Sequence, residues 1–268
     1  MPDFRFVHRA VKAARGLPAL LVLAGAFTAS PADAAAAPVT TSCENFYNTA
    51  VSNGRYRIQN NVWNDAAGTQ CLRTNGSRFE LIRSNHRKAV TGPPASYASI
   101  YKGCHYRACT AASGLPQRVD SMQRIHTDWS TSNVAGGAYN TSLDLWFDPR
   151  PNSDGINAGE IMVWLNHRGG PRPAGSRVGA VRIDGAAYDL WKGVLRDDSR
   201  HISWVVVSYV RTTQVSAVTN LDLRNITRDA TRRSYIKKIW YLNSVQAGFE
   251  VWQGGKGLRT NSFHVYTR

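Results

Sequence analysis

The sequence predicts an all-β sandwich with a single packed helix. Three observations predict it. Apolar and polar residues alternate strictly in several stretches, most clearly in Glu160-Ile161-Met162-Val163-Trp164-Leu165-Asn166. Breakers such as Gly92-Pro93-Pro94 and Gly114-Leu115-Pro116 cut the chain between them into short pieces. Helical spacing occurs once, from Thr227 to Tyr241, where Ile236, Ile239 and Trp240 share a side while Arg228, Arg232, Arg233, Lys237 and Lys238 stay wet.

Residues 1–37 are expected to stand outside that fold. Arg5, Arg9, Lys12 and Arg15 form a basic start, Leu17 to Ala29 an apolar run too short to span a bilayer, and Ala32-Asp33-Ala34-Ala35-Ala36-Ala37 a small-residue cleavage region. This is the pattern of a secretory signal peptide. Residues 38–268 then form one domain of about 231 residues, a normal length for one large β-sandwich. No second apolar run could cross a membrane, so an extracellular protein without a membrane partner is expected.

Cys43, Cys71, Cys104 and Cys109 suit an oxidising compartment. Three pairings are possible; Cys104 and Cys109 enclose a very short loop, and joining them leaves Cys43 to staple the mature N-terminus to Cys71. Zinc is disfavoured, because the spacings lack paired C-x-x-C motifs and His105 sits inside the loop. From Pro38 onward 29 Lys and Arg face 16 Asp and Glu, a net charge of about +13. Such a balance invites a nucleic-acid partner, but the cations are scattered through loops and the helix and no nucleic-acid motif accompanies them. A positive surface suits solubility or loose adhesion to anionic cell-wall material instead.

In chain order, the Asn53-Gly54 turn leads into an alternating strand from Arg55 to Asn64, on which Asn61 and Trp63 share a face. An amide beside an indole suits a pyranose, whose CH groups stack on the ring while its hydroxyls take hydrogen bonds. The competing reading puts Trp63 in the core. His105 can touch a ligand or serve only its loop. After Gly136-Gly137 a strand over Ala138 to Asp148 points Leu143, Leu145 and Phe147 one way and Asp144, Trp146 and Asp148 the other. A polar loop through Asn152-Ser153-Asp154-Gly155 returns it as the antiparallel neighbour of the Glu160 strand, which places Asp144 beside Glu160.

On that second strand Ile161, Val163 and Leu165 face a core, and Glu160, Met162, Trp164 and Asn166 share the other face. A carboxylate, a thioether, an indole and an amide in one row suit the floor of a sugar-binding cleft. Gly169 to Ser176 is a loop, followed by strands at Arg177 to Ile183, Ala187 to Trp191 and Ile202 to Tyr209. In Ser244 to Gly255, Glu250 and Trp252 share the parity opposite Phe249 and Val251. Only Glu44, Glu80, Glu160 and Glu250 are glutamates after residue 37. Two of those four lie on aromatic-lined strand faces, and the chemistry that needs two carboxylates across one bond is glycoside hydrolysis.

The ordered set Asn60-Asn61-Val62-Trp63, Gly103-Cys104-His105-Tyr106 with Cys109, Tyr139-Asn140 with Asp144-Leu145-Trp146, Glu160 to Asn166, and Gln246 to Trp252 with Asn261-Ser262-Phe263 resembles glycoside hydrolase family 12, the secreted endoglucanases and xyloglucanases. The resemblance runs from about Cys43 to the C-terminus. It implies a β-jelly roll of two antiparallel sheets with a concave substrate cleft and the helix packed outside, and disulfides Cys43–Cys71 and Cys104–Cys109. By motif position Glu160 is the nucleophile, Glu250 the general acid/base, and Asp144 is hydrogen-bonded to the nucleophile. Trp63, helped by Asn61, stacks on a sugar toward the non-reducing end, and His105, Trp146, Met162, Trp164, Asn166 and Trp252 line the cleft.

Two departures stand out. Pro173-Ala174-Gly175-Ser176 carries only Ala where the family's cleft-crossing loop has a larger aliphatic residue, and Tyr188 stands where an indole is common. Both bear on the leaving-group subsites and hence on the preferred glucan. The expectation is a monomeric, secreted, retaining endo-β-1,4-glucanase that needs no metal or cofactor. Its rival is a non-catalytic polysaccharide-binding sandwich, for which a second carboxylate has no use.

Overall fold

The computed structural model describes residues 38–65, 68–151, 154 and 157–267. The signal peptide expected at residues 1–37 lies outside the described residues, as does most of the loop expected at Asn152 to Gly155. The strands are, in chain order, β1 (Val39–Ser42), β2 (Asn48–Val51), β3 (Tyr56–Gln59), β4 (Gln70–Asn75), β5 (Arg78–Ser84), β6 (Ser96–His105), β7 (Ala108–Cys109), β8 (Gln117–Arg118), β9 (Ile125–Ser132), β10 (Ala138–Asp148), β11 (Gly159–Arg168), β12 (Ser176–Ile183), β13 (Ala186–Asp197), β14 (Ile202–Arg211), β15 (Ala217–Asp222), β16 (Tyr241–Gln253) and β17 (Arg259–Thr267). The described helix of α type is α1 (Leu223–Arg232).

Two sheets result, the jelly-roll sandwich that the motifs imply. One has the order β1-β4-β5-β17-β9-β15; the other runs β12-β13-β14-β11-β10-β16-β6-β3-β2, with β7 on β6 and β8 on β16. Among the described residues pairing is antiparallel with one exception. β11 and β14 run parallel, because the chain leaves β11 through the 169–175 loop instead of a tight hairpin and comes back only after β12 and β13.

The alternation seen in the sequence sets what each face does. Leu143, Leu145 and Phe147 of β10 and Ile161, Val163 and Leu165 of β11 all enter the core between the sheets. There Phe249 of β16 meets Phe79 of β5 and Trp129 of β9, with ring centroids 5.8 and 6.2 Å apart. The opposite face of the second sheet holds a separate apolar cluster of Ala138, Met162, Trp164, Val206 and Trp252. A sheet with one face packed and the other lined by indoles and carboxyls is the scaffold of a cleft.

The helix lies earlier than the spacing predicts. Asp222 accepts a hydrogen bond from the Asn225 N–H at 3.1 Å and caps its start. Its end is set by Ser234, at φ 61°, where the Ser234 and Tyr235 N–H groups return to the Thr231 and Ala230 carbonyls. No glycine marks that stop in the sequence. Ile236 and Trp240 are buried as expected, but from an irregular segment beyond the helix, and Ile239 is exposed. A Cβ on Gly159 would lie 2.7 Å from Trp240 and 2.9 Å from Ile236, so this glycine lets the segment close on the start of β11 beside Glu160.

The strand expected over Arg55 to Asn64 also stops early. β3 ends at Gln59, and Asn61 sits at φ 45°, so strand parity does not carry through to Trp63. Disulfides join Cys43 to Cys71 and Cys104 to Cys109. No helix among the described residues is long and apolar enough to cross a membrane.

Removing the cap tests the helix boundary. Asp222→Ala should lower unfolding stability by about 1 kcal/mol in denaturant titration. Asp222→Asn, which keeps the capping oxygen but loses the charge that faces Arg124, should cost much less, and equal losses in the two variants would contradict the cap.

Candidate active site

Three carboxyls converge on the cleft face of the second sheet. Glu160 on β11 is 5% exposed and its carboxylate accepts a 3.0 Å hydrogen bond from the Trp204 indole N–H on β14. Glu250 on β16 takes a short hydrogen bond from the Asn140 side-chain amide of β10. The Glu250 backbone N–H in turn donates to Asn140 Oδ1 at 3.2 Å, which fixes the amide with its NH₂ toward the carboxyl. Asp144 on β10, 3% exposed, accepts from the Ser142 hydroxyl at 3.0 Å. β10 thus lies between the two glutamates.

The register refines the expected neighbours. Trp146, not Asp144, stands directly across from Glu160; Asp144 pairs with Met162 and reaches Glu160 on the diagonal. Among the described residues the hydrogen-bond partners of Asp144 are the Ser142 and Tyr97 hydroxyls, not Glu160 as expected. Trp146 lies with its ring 6.4 Å from Trp204, and its buried indole nitrogen has no hydrogen-bond partner among the described residues. Met162, Trp164 and Trp252 form the apolar floor, with the Trp252 N–H donating to the Gly92 carbonyl at 2.7 Å.

Asn166 is a correction. A bulge between Thr141 and Ser142 pairs Ser142 with Trp164 but Thr141 with Asn166, so Asn166 falls opposite a core-parity residue and leaves the cleft face. His167 takes that face instead. Neither it nor Trp204, Asn140 and Ser142 was singled out as a site residue from the sequence. An Asn-x-x-x-Asp alternation was visible for Asn140, whereas the parallel β11–β14 pairing that delivers Trp204 leaves no local signal.

Trp63 is 49% exposed beside buried Val62, which overturns the reading that puts it in the core. Its loop is held by the Asn64 amide on the Pro94 carbonyl at 3.0 Å and by Asp65 on His86 at 2.9 Å. Asn61 lies at the end of β6, its carbonyl accepting from the Tyr97 N–H at 3.0 Å. His105 is buried; its Nδ1 meets the Gln246 side-chain amide at 3.1 Å and its Nε2 has no partner among the described residues. Ala174 packs against the Met162–Trp164–Trp252 cluster, so the small residue in the loop does touch the cleft floor. Tyr188 does not: it is buried in the core against Tyr209, and its substitution for an indole leaves the cleft unchanged.

The whole arrangement has close counterparts. The family model for glycosyl hydrolase family 12 matches residues 54–267. The chain belongs to that family. It is a glycoside hydrolase of the endoglucanase and xyloglucanase type, acting on polysaccharide. The probable cellulase Cel12b of Mycobacterium tuberculosis is 30% identical over 151 residues, covering 56% of this chain and 95% of that protein. A metagenome-derived family 12 endoglucanase superposes with a TM-score of 0.80 at 39% identity, covering 87% of this chain and 99% of the other. The family 12 xyloglucanase of Bacillus licheniformis gives 0.78 at 29% identity, over 85% and 100%.

In this family 12 cleft, burial dominates the electrostatics. It raises the Glu160 carboxyl to about 8, with the charge of Glu250 adding to the effect and the Trp204 N–H opposing it. Burial likewise raises Glu250 to about 7 against the Asn140 amide. Asp144 is pushed well up by burial and then by both glutamates. Glu250 is raised as its expected role requires, but Glu160 is raised as well, so the pair titrates as a unit and its electrostatics alone do not divide the roles. Among the described residues no group of three or more His, Cys, Asp or Glu could hold a metal ion.

Carboxyls raised in the folded state stabilise it fully below their unfolded values near 4.5, and that contribution is lost as pH rises toward 8. Glu160→Gln should therefore match the wild-type melting temperature near pH 4 and exceed it by several degrees at pH 8.5. Thermal melts across that range check it, and a constant difference between the two proteins contradicts the burial of an ionisable pair.

Proposed function

We propose that this protein is a secreted, retaining endo-β-1,4-glucanase that cleaves internal bonds of a β-1,4-linked glucan by double displacement. The observation that carries the proposal is the placement of Glu160 and Glu250 on one cleft face, flanking β10, the first buried and the second half-buried, each held by an N–H donor. A non-catalytic binder gains nothing from burying two carboxyls at such cost. The leader at residues 1–37 supports export, and the two disulfides fit an oxidising environment.

In the first step a Glu160 carboxylate oxygen attacks the anomeric carbon while Glu250 protonates the departing glycosidic oxygen, leaving a glycosyl ester on Glu160. The Trp204 N–H fixes the Glu160 carboxyl for that attack, and Asn140 fixes Glu250. Asp144 lies diagonally across from Glu160 on β10, and by staying protonated it keeps three neighbouring groups from carrying three charges. In the second step Glu250 takes a proton from water, which displaces the ester and restores the β configuration. Exposed Trp63 offers an aromatic plate to a sugar on the non-reducing side.

Retention gives the direct test. Proton NMR in the first minutes of hydrolysis should show the β-anomer at the new reducing end before mutarotation, and an initial α-anomer refutes double displacement. Glu160→Gln should lower kcat by about a thousandfold or more with little change in oligosaccharide affinity. Trp63→Ala should weaken cello-oligosaccharide binding about tenfold by calorimetry, and unchanged affinity would remove Trp63 from the substrate path.

A further inference from the structure

The bulge in β11 creates a line of residues across four strands. His167 pairs with Asn140, Asn140 with Glu250, and Glu250 with Tyr97, whose N–H donates to the carbonyl of Asn61, two residues before Trp63. Residues directly opposite in antiparallel ladders share a face, and Asn140 faces the cleft because its amide holds Glu250. His167 therefore faces the cleft too. Its ring lies 5.9 Å from that of Trp164, three residues earlier, which only the bulge allows on one strand face.

Position along this line separates the two ends of the cleft. Trp63 and Asn61 lie on one side of Glu250, and His167 on the other, two strand spacings or roughly 10 Å away. His167 is half-buried, burial lowers its pKa, and its ring nitrogens meet no hydrogen-bond partner among the described residues. A neutral imidazole has one donor and one acceptor nitrogen, the complement of a sugar's vicinal hydroxyls. Trp164 beside it is buried with Met162 and Trp252 and backs the imidazole from below, so that the ring nitrogens rather than the indole face the sugar.

We infer that His167 is a specificity-determining residue that hydrogen-bonds a glucosyl unit on the leaving-group side of the scissile bond, with Trp164 as the apolar support. This rests on the glucanase reading above, in which Trp63 takes the opposite, non-reducing side. An imidazole contact with the leaving sugar matters for oligosaccharides and is absent from an aryl glycoside whose leaving group is a nitrophenol. The two substrates therefore report on different parts of the cleft.

The experiment compares kcat/KM for cellopentaose and for an aryl β-cellotrioside in wild type, His167→Ala and His167→Gln. Expected is a three- to tenfold fall in the oligosaccharide-to-aryl ratio for His167→Ala, the scale of one hydrogen bond, partly restored by His167→Gln, whose amide again offers donor and acceptor. Equal losses on both substrates, as misfolding or a structural role would give, overturn the assignment. So does an unchanged ratio, and so does a larger loss on the aryl substrate. Wild-type protein that cleaves neither substrate overturns the glucanase reading itself.

Discussion

Burying carboxyls on one face of a sheet whose other face is the protein core is the constraint on which this structure depends. An ionised carboxylate removed from water is costly unless donors reach it, and here each donor comes from a neighbouring strand or from the same one. Trp204 of β14 serves Glu160 of β11, Asn140 of β10 serves Glu250 of β16, and Ser142 serves Asp144 within β10. The strand order β14-β11-β10-β16 is therefore also an order of donors and acceptors. Separating β14 from β11, or β10 from β16, would leave a carboxyl on this face without its hydrogen bond.

The reverse face holds that order in place. Core-parity residues of β10 and β11 interlock with Phe249 and, through it, with Phe79 and Trp129 of the other sheet. A one-residue slip of β11 would send Ile161, Val163 and Leu165 into the cleft and Glu160 into the core. Gly159 adds a local constraint, since a side chain there would meet Trp240 and Ile236. The approach of that segment fixes where β11 begins, one residue before the proposed nucleophile.

The bulge between Thr141 and Ser142 is the point at which the regular pattern is broken, and it lies at the end of the cleft. Its effect is to remove Asn166 from the cleft face and to bring His167 onto it beside Trp164. The positive φ of Asn61 has a similar effect on the other flank, where it ends strand parity and leaves Trp63 exposed while Val62 stays buried. Both ends of the cleft are thus shaped by departures from the strand geometry that builds its centre.

What the sequence by itself determined was whatever repeats with period two. The strands at Ala138 to Asp148 and Glu160 to Asn166, their core and cleft faces, and the shared face of Glu250 and Trp252 follow from local alternation, because side chains on a strand must point to alternate sides. The ordered motifs supplied the family and both disulfides. Tertiary structure decided what depends on distant partners. The parallel placement of β14 brought Trp204 to Glu160, and the pairing register put Trp146 rather than Asp144 opposite it. The left-handed Ser234 stopped the helix without a glycine, and Ile236 and Trp240 reached the core from an irregular segment because Gly159 left room for them. Alternation is a property of a single strand, whereas register, bulges and donor placement are set by contacts between strands far apart in the chain. That is why the carboxyls were legible and the groups that hold them were not.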